Sequence, residues 1–253
     1  MSNLSLPSSV ELISVHVPKT AGSTFGGGIL PYIYGEENIL YDYDGLSVEA
    51  LVKQGKLTNN IKAIHGHFPA VKYKSYLGKV KLVIWLRNPI LILISWYYFW
   101  NSKRDVFYDE AHRYVVENGL NFRDYLEMEY KENNIKSYFL EGINLTNFDF
   151  VGLQEFFSED LSELTSQLGW KSINVPMYNR NKYPDYQREV IKILEDINIT
   201  KIILGLKKDD MDIYKLALKM RHERKGLSNH LQMYKPILEN SRAILEGYQI
   251  KNL

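Results

Sequence analysis

Apolar positions along this chain fall into short continuous runs, and the runs alternate with segments of helical periodicity. Ile13-Ser14-Val15-His16-Val17 is the first run, and its β-branched residues predict a buried strand over residues 12–17. A Pro-Lys turn follows, then a helix from about Gly22 to Tyr34 that contains Gly26-Gly27-Gly28. Glycines inside a helix are costly. They point either to another group approaching the backbone closely or to tight packing on a sheet. Residues 35–60 are polar and mixed, with one short helix expected around Ser47 to Gln54. Ile61 to Phe68 reads as a second strand closed by Pro69. Leu82-Val83-Ile84-Trp85-Leu86 is the third, and its unbroken apolar run suits the middle of a parallel sheet. Asn88 can cap the next helix and Pro89 fits its first turn. That helix runs to about Asn101 and is apolar nearly all round, so it is expected to be buried.

The rest of the pattern is sparser. A charged helical region spans Glu110 to Asn134, Phe148-Asp149-Phe150-Val151-Gly152 predicts a fourth strand, and Glu159 to Leu168 a helix. Val175 to Pro184 has no period and reads as a loop. Helices are expected over Tyr186 to Ile197 and Asp209 to Arg224, while residues 226–253 are the least readable. Strands alternating with helices predict an α/β fold around a central parallel β-sheet flanked by helices. In such sheets ligands bind beyond the carboxyl ends of the strands. Lys19, His67 and Arg87 each lie at or just past such an end, and one crevice would hold all three.

Length and composition narrow the picture only in part. The 253 residues fit a single domain over 1–253, its last part, from about 200, helical and without an assigned role. Lys plus Arg total 31 against 30 for Asp plus Glu, so no global charge selects nucleic acid or a membrane surface. There is no cysteine, which excludes disulfides, thiolate catalysis and thiolate metal sites. Met1 to Pro7 lacks the pattern of a signal peptide. Arg87, Asn88 and Pro89 interrupt the long apolar region from Leu82 to Trp100, leaving no membrane span. A soluble, cytoplasmic protein is expected. The 19 tyrosines are able to stack on sugars or bases, though lining a half-buried surface is their commoner use.

The chemistry concentrates at the first strand's end. A strand-turn-helix corner offers backbone N–H groups and a favourable helix dipole to an anion. Lys19 adds a cation, and Ser23 and Thr24 add hydroxyl donors. The lysine precedes the small residues, so the spacing of a nucleotide-hydrolase phosphate loop is absent. No strand ends in a convincing metal-binding aspartate either, which weakens magnesium-dependent phosphoryl transfer. His65 and His67 share one strand face, since positions two apart align. His-x-His is also a metal spacing, with His16 as a third ligand if the first two strands are neighbours. The lack of an accompanying acidic cluster argues against a metal.

Several blocks together resemble a known family. Pro18-Lys19-Thr20-Ala21-Gly22-Ser23-Thr24 is similar to the 5′-phosphosulfate loop of sulfotransferases that use 3′-phosphoadenosine 5′-phosphosulfate (PAPS). Arg87-Asn88-Pro89 with Ser95-Trp96-Tyr97-Tyr98-Phe99 resembles the 3′-phosphate site of the heparan/uronyl 2-O-sulfotransferase branch. His65-Gly66-His67-Phe68 resembles that branch's histidine motif. Phe150 to Glu155 and Leu168-Gly169-Trp170 are similar to its later core. The resemblance runs in discontinuous blocks from residue 12 to about 182.

The resemblance implies a three-layer P-loop-like fold and a PAPS-dependent O-sulfotransferase acting on a hydroxyl acceptor, a saccharide above all. PAP would be the nucleotide product. It implies Pro18, Lys19, Thr20, Ala21, Gly22, Ser23 and Thr24 at the phosphosulfate, and Arg87 and Ser95 at the 3′-phosphate. His67 would be the general base, Lys19 would offset charge on the leaving phosphate, and His65 would orient the acceptor or support His67. A basic loop with Arg180 and Lys182 would close over the nucleotide. Animal members of that branch are membrane-anchored, so this cysteine-free chain looks more like a soluble bacterial relative. Two other readings stay open: an ATP-dependent kinase on a variant phosphate loop, and a non-catalytic nucleotide- or glycan-binding protein. Lys72, Lys74 and Lys79 also form a basic cluster able to attract an acidic glycan.

Overall fold

The computed structural model describes residues 6–128, 134–171, 173, 183 and 185–226. The described residues fall into two compact units, within Met1–Leu86 and Asn133–Asn179, and within Arg87–Glu132 and Arg180–Leu253. The first unit holds five strands: β1 (Leu12–His16), β2 (Ile39–Tyr41), β3 (Ala63–Gly66), β4 (Lys81–Leu86) and β5 (Phe150–Leu153). They form one sheet in the order β2-β3-β1-β4-β5. Every pairing is parallel. The α/β class and the central parallel sheet are as the alternating pattern predicts.

Both faces of the strands are buried, which explains their continuous apolar runs. Leu12, Ile39, Ala63, Val83, Trp85 and Phe150 share one core with Phe25, Ile29 and Leu30 from the first helical stretch. Phe157 and Leu164, from the helix Phe157–Gln167, complete that core. The predicted helix over 22–34 is present, but its middle is widened. Gly22–Thr24 and Leu30–Tyr34 are α-helical, and Phe25–Ile29 between them is a π-helix. The short helix is Val48–Lys53, with Ser47 Oγ accepting from Ala50 N–H at its start.

Two elements of this sheet unit differ from the sequence expectation. Residues 39–41 form the edge strand β2, where a polar connection is expected. Its order comes from pairing with β3, Leu40 opposite Ile64 and Tyr41 opposite His65, and not from any period of its own. Residues 70–76 form a 3₁₀ segment that carries two of the lysines in the basic cluster.

The described residues of the second unit form helices and their connections. Pro89–Asn101 is its buried centre, with Asn88 Oδ1 accepting from Ile90 N–H at 2.9 Å and Pro89 in the first turn. Ile90, Leu93, Ile94, Tyr98 and Trp100 pack there with Val115, Phe122, Tyr125, Val190, Leu194 and Ile203. Among its described residues the charged region forms two helices, Glu110–Glu117 and Phe122–Glu127. The helix from Tyr186 ends at Glu195, because Asp196 caps a further helix, Ile197–Leu206, that the periodicity did not predict. The helix Lys208–Arg224 follows. Among the described residues, no helix is long and apolar enough to cross a membrane.

Candidate active site

Because β1 and β3 are parallel neighbours with Ser14 opposite His65, the residues two steps further on, His16 and His67, emerge side by side at the carboxyl end. Their rings meet, with centroids 4.5 Å apart and His67 Nε2 at 3.1 Å from His16 Nδ1. His65 stacks on the other side of His16 at 4.9 Å. Tyr43, just beyond β2, sets its ring edge-on to His67 at 4.7 Å and its hydroxyl 3.3 Å from His16 Nδ1. The site is thus a three-histidine cluster with a tyrosine. Its centre, His16, enters the sequence reading only through a metal alternative that the missing acidic cluster argues against. Among the described residues no group of three or more His, Cys, Asp or Glu is arranged to hold a metal ion.

The three imidazoles are held neutral. Burial, followed by the charge of His67, pushes His65 down to about 3. Burial alone takes His67 to about 4. His16 lies well below its ordinary value, from burial first and then from His65, His67 and Lys19. At neutral pH each ring therefore offers one N–H and one lone pair.

His65 is enclosed. It is 2% exposed, its Nδ1 lies 3.0 Å from Ser14 Oγ, and its Nε2 is buried with no hydrogen-bond partner. The ring is thus enclosed by its neighbours, with its Nε2 out of contact with solvent. The glycines explain how it fits. A Cβ on Gly26 would stand 2.2 Å from His65 Nε2, and one on Gly22 would stand 1.7 Å from His16 Nε2. The close approach that the glycine run predicts is thus made at Gly26 by His65, and Gly22, before the run, admits His16 in the same way. The π-helical widening around Gly26 is further tied to the sheet by the Tyr41 hydroxyl, which donates to Gly26 C=O at 2.9 Å.

The turn from β1 has the shape of an anion cradle. Lys19 and Ala21 both take the left-handed conformation, φ 66° and 68°, an arrangement rare for residues with a side chain and concentrated at functional turns. Helix begins at Gly22, and the N–H groups of Thr24 and Phe25 both turn back to Ala21 C=O at 3.0 Å. Ser23 is exposed at that first turn and Thr24 is buried. Pro18 is partly buried. Thr20 is fully buried and its hydroxyl donates to Val17 C=O at 2.6 Å, so that side chain locks the turn.

The remaining expected residues belong to other elements. Arg87 and Ser95 belong to the helical unit, and both are buried, at 8% and 4% exposure. Arg180 and Lys182 lie outside the described residues. The basic cluster is partly engaged. Lys72 pairs with the buried Asp42 carboxylate, which also accepts from Tyr73 Oη at 2.8 Å. Lys81 pairs with Asp149 at 2.8 Å. Lys74, Lys79 and the ion-paired Lys81 stand exposed on the surface.

No protein-family model matches the chain. The chloroplastic/mitochondrial phenylalanine–tRNA ligase of Arabidopsis thaliana is 23% identical over 156 residues, 59% of this chain and 36% of the ligase. The chain thus spans little more than a third of that relative's length. Mouse sulfotransferase SULT7A1 complexed with PAP aligns over 66% of this chain and 61% of its own, at TM-score 0.38 and 15% identity. A sulfotransferase from Alicyclobacillus acidocaldarius aligns over 79% of this chain and 96% of its own, at TM-score 0.34 and 16% identity.

Proposed function

We propose that this chain is a PAPS-dependent O-sulfotransferase, with a saccharide hydroxyl as the favoured acceptor. The observation that carries the reading is the joint presence, at the carboxyl ends of adjacent parallel strands, of a left-handed lysine turn and a neutral histidine. Sulfonyl transfer needs a base for the acceptor proton and a cation at the leaving oxygen. His67 supplies the first and Lys19 the second, and Lys19 is near enough for its charge to act on His16, which touches His67. The turn from Pro18 to Thr24 would hold the phosphosulfate through backbone N–H groups, Lys19 and the Ser23 and Thr24 hydroxyls. The part given to Arg87 and Ser95, reading the 3′-phosphate, rests on the sequence motif. So does the choice of a saccharide.

In the step itself, the acceptor hydroxyl attacks sulfur in line with the departing phosphate oxygen. Its proton passes to His67, an O–S bond forms, and the S–O bond to the 5′-phosphate breaks with its electron pair leaving on PAP. Calorimetry without magnesium tests the binding half: PAP should bind more tightly than AMP or ATP. Equal affinity for PAP and AMP would remove the 3′-phosphate assignment, and magnesium-dependent preference for ATP would favour a kinase. His67→Ala should abolish transfer of labelled sulfate from PAPS while sparing PAP binding, whereas Lys19→Ala should harm both.

A further inference from the structure

Resting on that reading, we infer that His16 is a positioning residue that fixes the tautomer of His67, with His67 Nε2–H donating to His16 Nδ1. The two nitrogens are 3.1 Å apart, within hydrogen-bond range, and a bond between two neutral imidazoles requires one N–H and one lone pair. Were His16 the donor, the lone pair of His67 Nε2 would be consumed. With His16 as acceptor, the lone pair of His67 falls on Nδ1, and that nitrogen takes the proton of the acceptor hydroxyl. The second neighbour of His16 Nδ1 fits this direction. The hydroxyl end of Tyr43 packs against the histidines, burial there raises it to about 12, and so at neutral pH it keeps its proton and can donate toward the same lone pair at 3.3 Å.

When His67 takes the proton it becomes an imidazolium, and its Nε2–H then points at a lone pair already in place. His16 is fit for that part because it stays neutral. A cationic His16 would offer a second N–H where an acceptor is needed. Its ring stacks on His65, and its Nε2 end occupies the space that a side chain on Gly22 would take. This is the logic of a base oriented by a third group, with a neutral imidazole in the place where a carboxylate is commonly found.

The test is imidazole NMR on full-length protein labelled with ¹⁵N-histidine, alongside turnover with PAPS. Near neutral pH, His67 in the wild type should show protonated Nε2 and bare Nδ1. His16→Ala should average the two tautomers of His67 and lower kcat by about 10²-fold, on the scale of a general base losing its alignment, with PAP affinity retained. His16→Asn can return an amide oxygen near the place of Nδ1, and should restore both the tautomer and part of kcat. A wild-type His67 protonated at Nδ1 would overturn the inference, and so would a tautomer unmoved by His16→Ala. Absence of sulfonyl transfer in the wild type would instead remove the function while leaving the tautomer measurement decisive. Circular dichroism of both variants separates these results from misfolding.

Discussion

Gly26 and His65 compete for the same space: a Cβ on the glycine would stand 2.2 Å from Nε2 and 2.3 Å from Cδ2 of the imidazole. The ring cannot retreat, because Ser14 holds its Nδ1 and it is buried on all sides. Gly26→Ala should therefore destabilise the protein by about 1–3 kcal/mol through overpacking. Gly27→Ala should do the opposite. Nothing lies within 4 Å of its added methyl, and alanine gains up to about 1 kcal/mol over glycine in a helix. Urea unfolding of the two variants checks the contrast, and equal effects would mean the glycines serve some purpose other than admitting His65. In a His65→Ala background, the cost of Gly26→Ala should shrink.

The same buried ring predicts a pH dependence of stability. Unfolded, His65 takes up a proton near 6.5; folded, it resists until about 3. The unfolded state then binds more protons as pH falls, so stability drops as acidity increases. The contribution is fully present above about pH 7, declines as pH passes through 6.5, and goes on declining until about 3. His67 adds the same sign of effect between 6.5 and about 4, and His16 shares the direction. Urea midpoints from pH 7.5 to 5 should fall in the wild type and fall less steeply in His65→Gln. Identical slopes would show that His65 titrates normally in the fold.

How far the sequence carried the fold depends on where the ordering forces lie. The strand before Arg87 and the helix Pro89–Asn101 are legible because burial on all sides leaves an unbroken apolar run and the cap residues announce the start. The edge strand at Ile39–Tyr41 is not, since three residues cannot display an alternation and its order comes from β3. The helix Ile197–Leu206 is hidden by its β-branched residues, and only Asp196, whose carboxylate accepts from Asn198 and Ile199 N–H, marks its beginning. His67 is visible in its motif. The contact of His16 with His67 depends on β1 and β3 being neighbours, a fact of sheet order with no local trace. The Lys72 pairing with Asp42, thirty positions away, is invisible for the same reason.

That Asp42 pairing gives a third prediction. Asp42 is 1% exposed and its carboxylate receives Lys72 and Tyr73. Lys72→Met removes the cation and leaves a charged carboxylate inside, which should cost about 3–5 kcal/mol. Asp42→Asn in the Lys72→Met background should recover much of that loss, because the side chain left behind is neutral. A thermal or urea double-mutant cycle measures the coupling. Additive effects would show that the pair does not hold the 3₁₀ segment of residues 70–76 against the sheet. The neighbouring Lys74, exposed and outside this network, should be replaceable with little effect on stability.

Lys19 brings stability and function into opposition. Its left-handed backbone, φ 66°, costs a residue with a Cβ roughly 1–2 kcal/mol relative to glycine. Removing the side chain in two ways separates the two roles. Lys19→Ala keeps the strained backbone and loses the cation; Lys19→Gly loses the cation and relieves the strain. Glycine's greater freedom in the unfolded chain offsets part of that relief, by about 0.4–1 kcal/mol, so the Gly variant should be at least as stable as the Ala variant and more stable by up to about 1.6 kcal/mol. Both should lose sulfonyl transfer from PAPS, because neither offers a positive charge to the leaving phosphate, and both should lose affinity for PAP. A Gly variant less stable than the Ala variant would mean the turn relaxes out of the left-handed region. Full turnover in either would show that another cation serves the leaving group, and would detach Lys19 from the proposed chemistry.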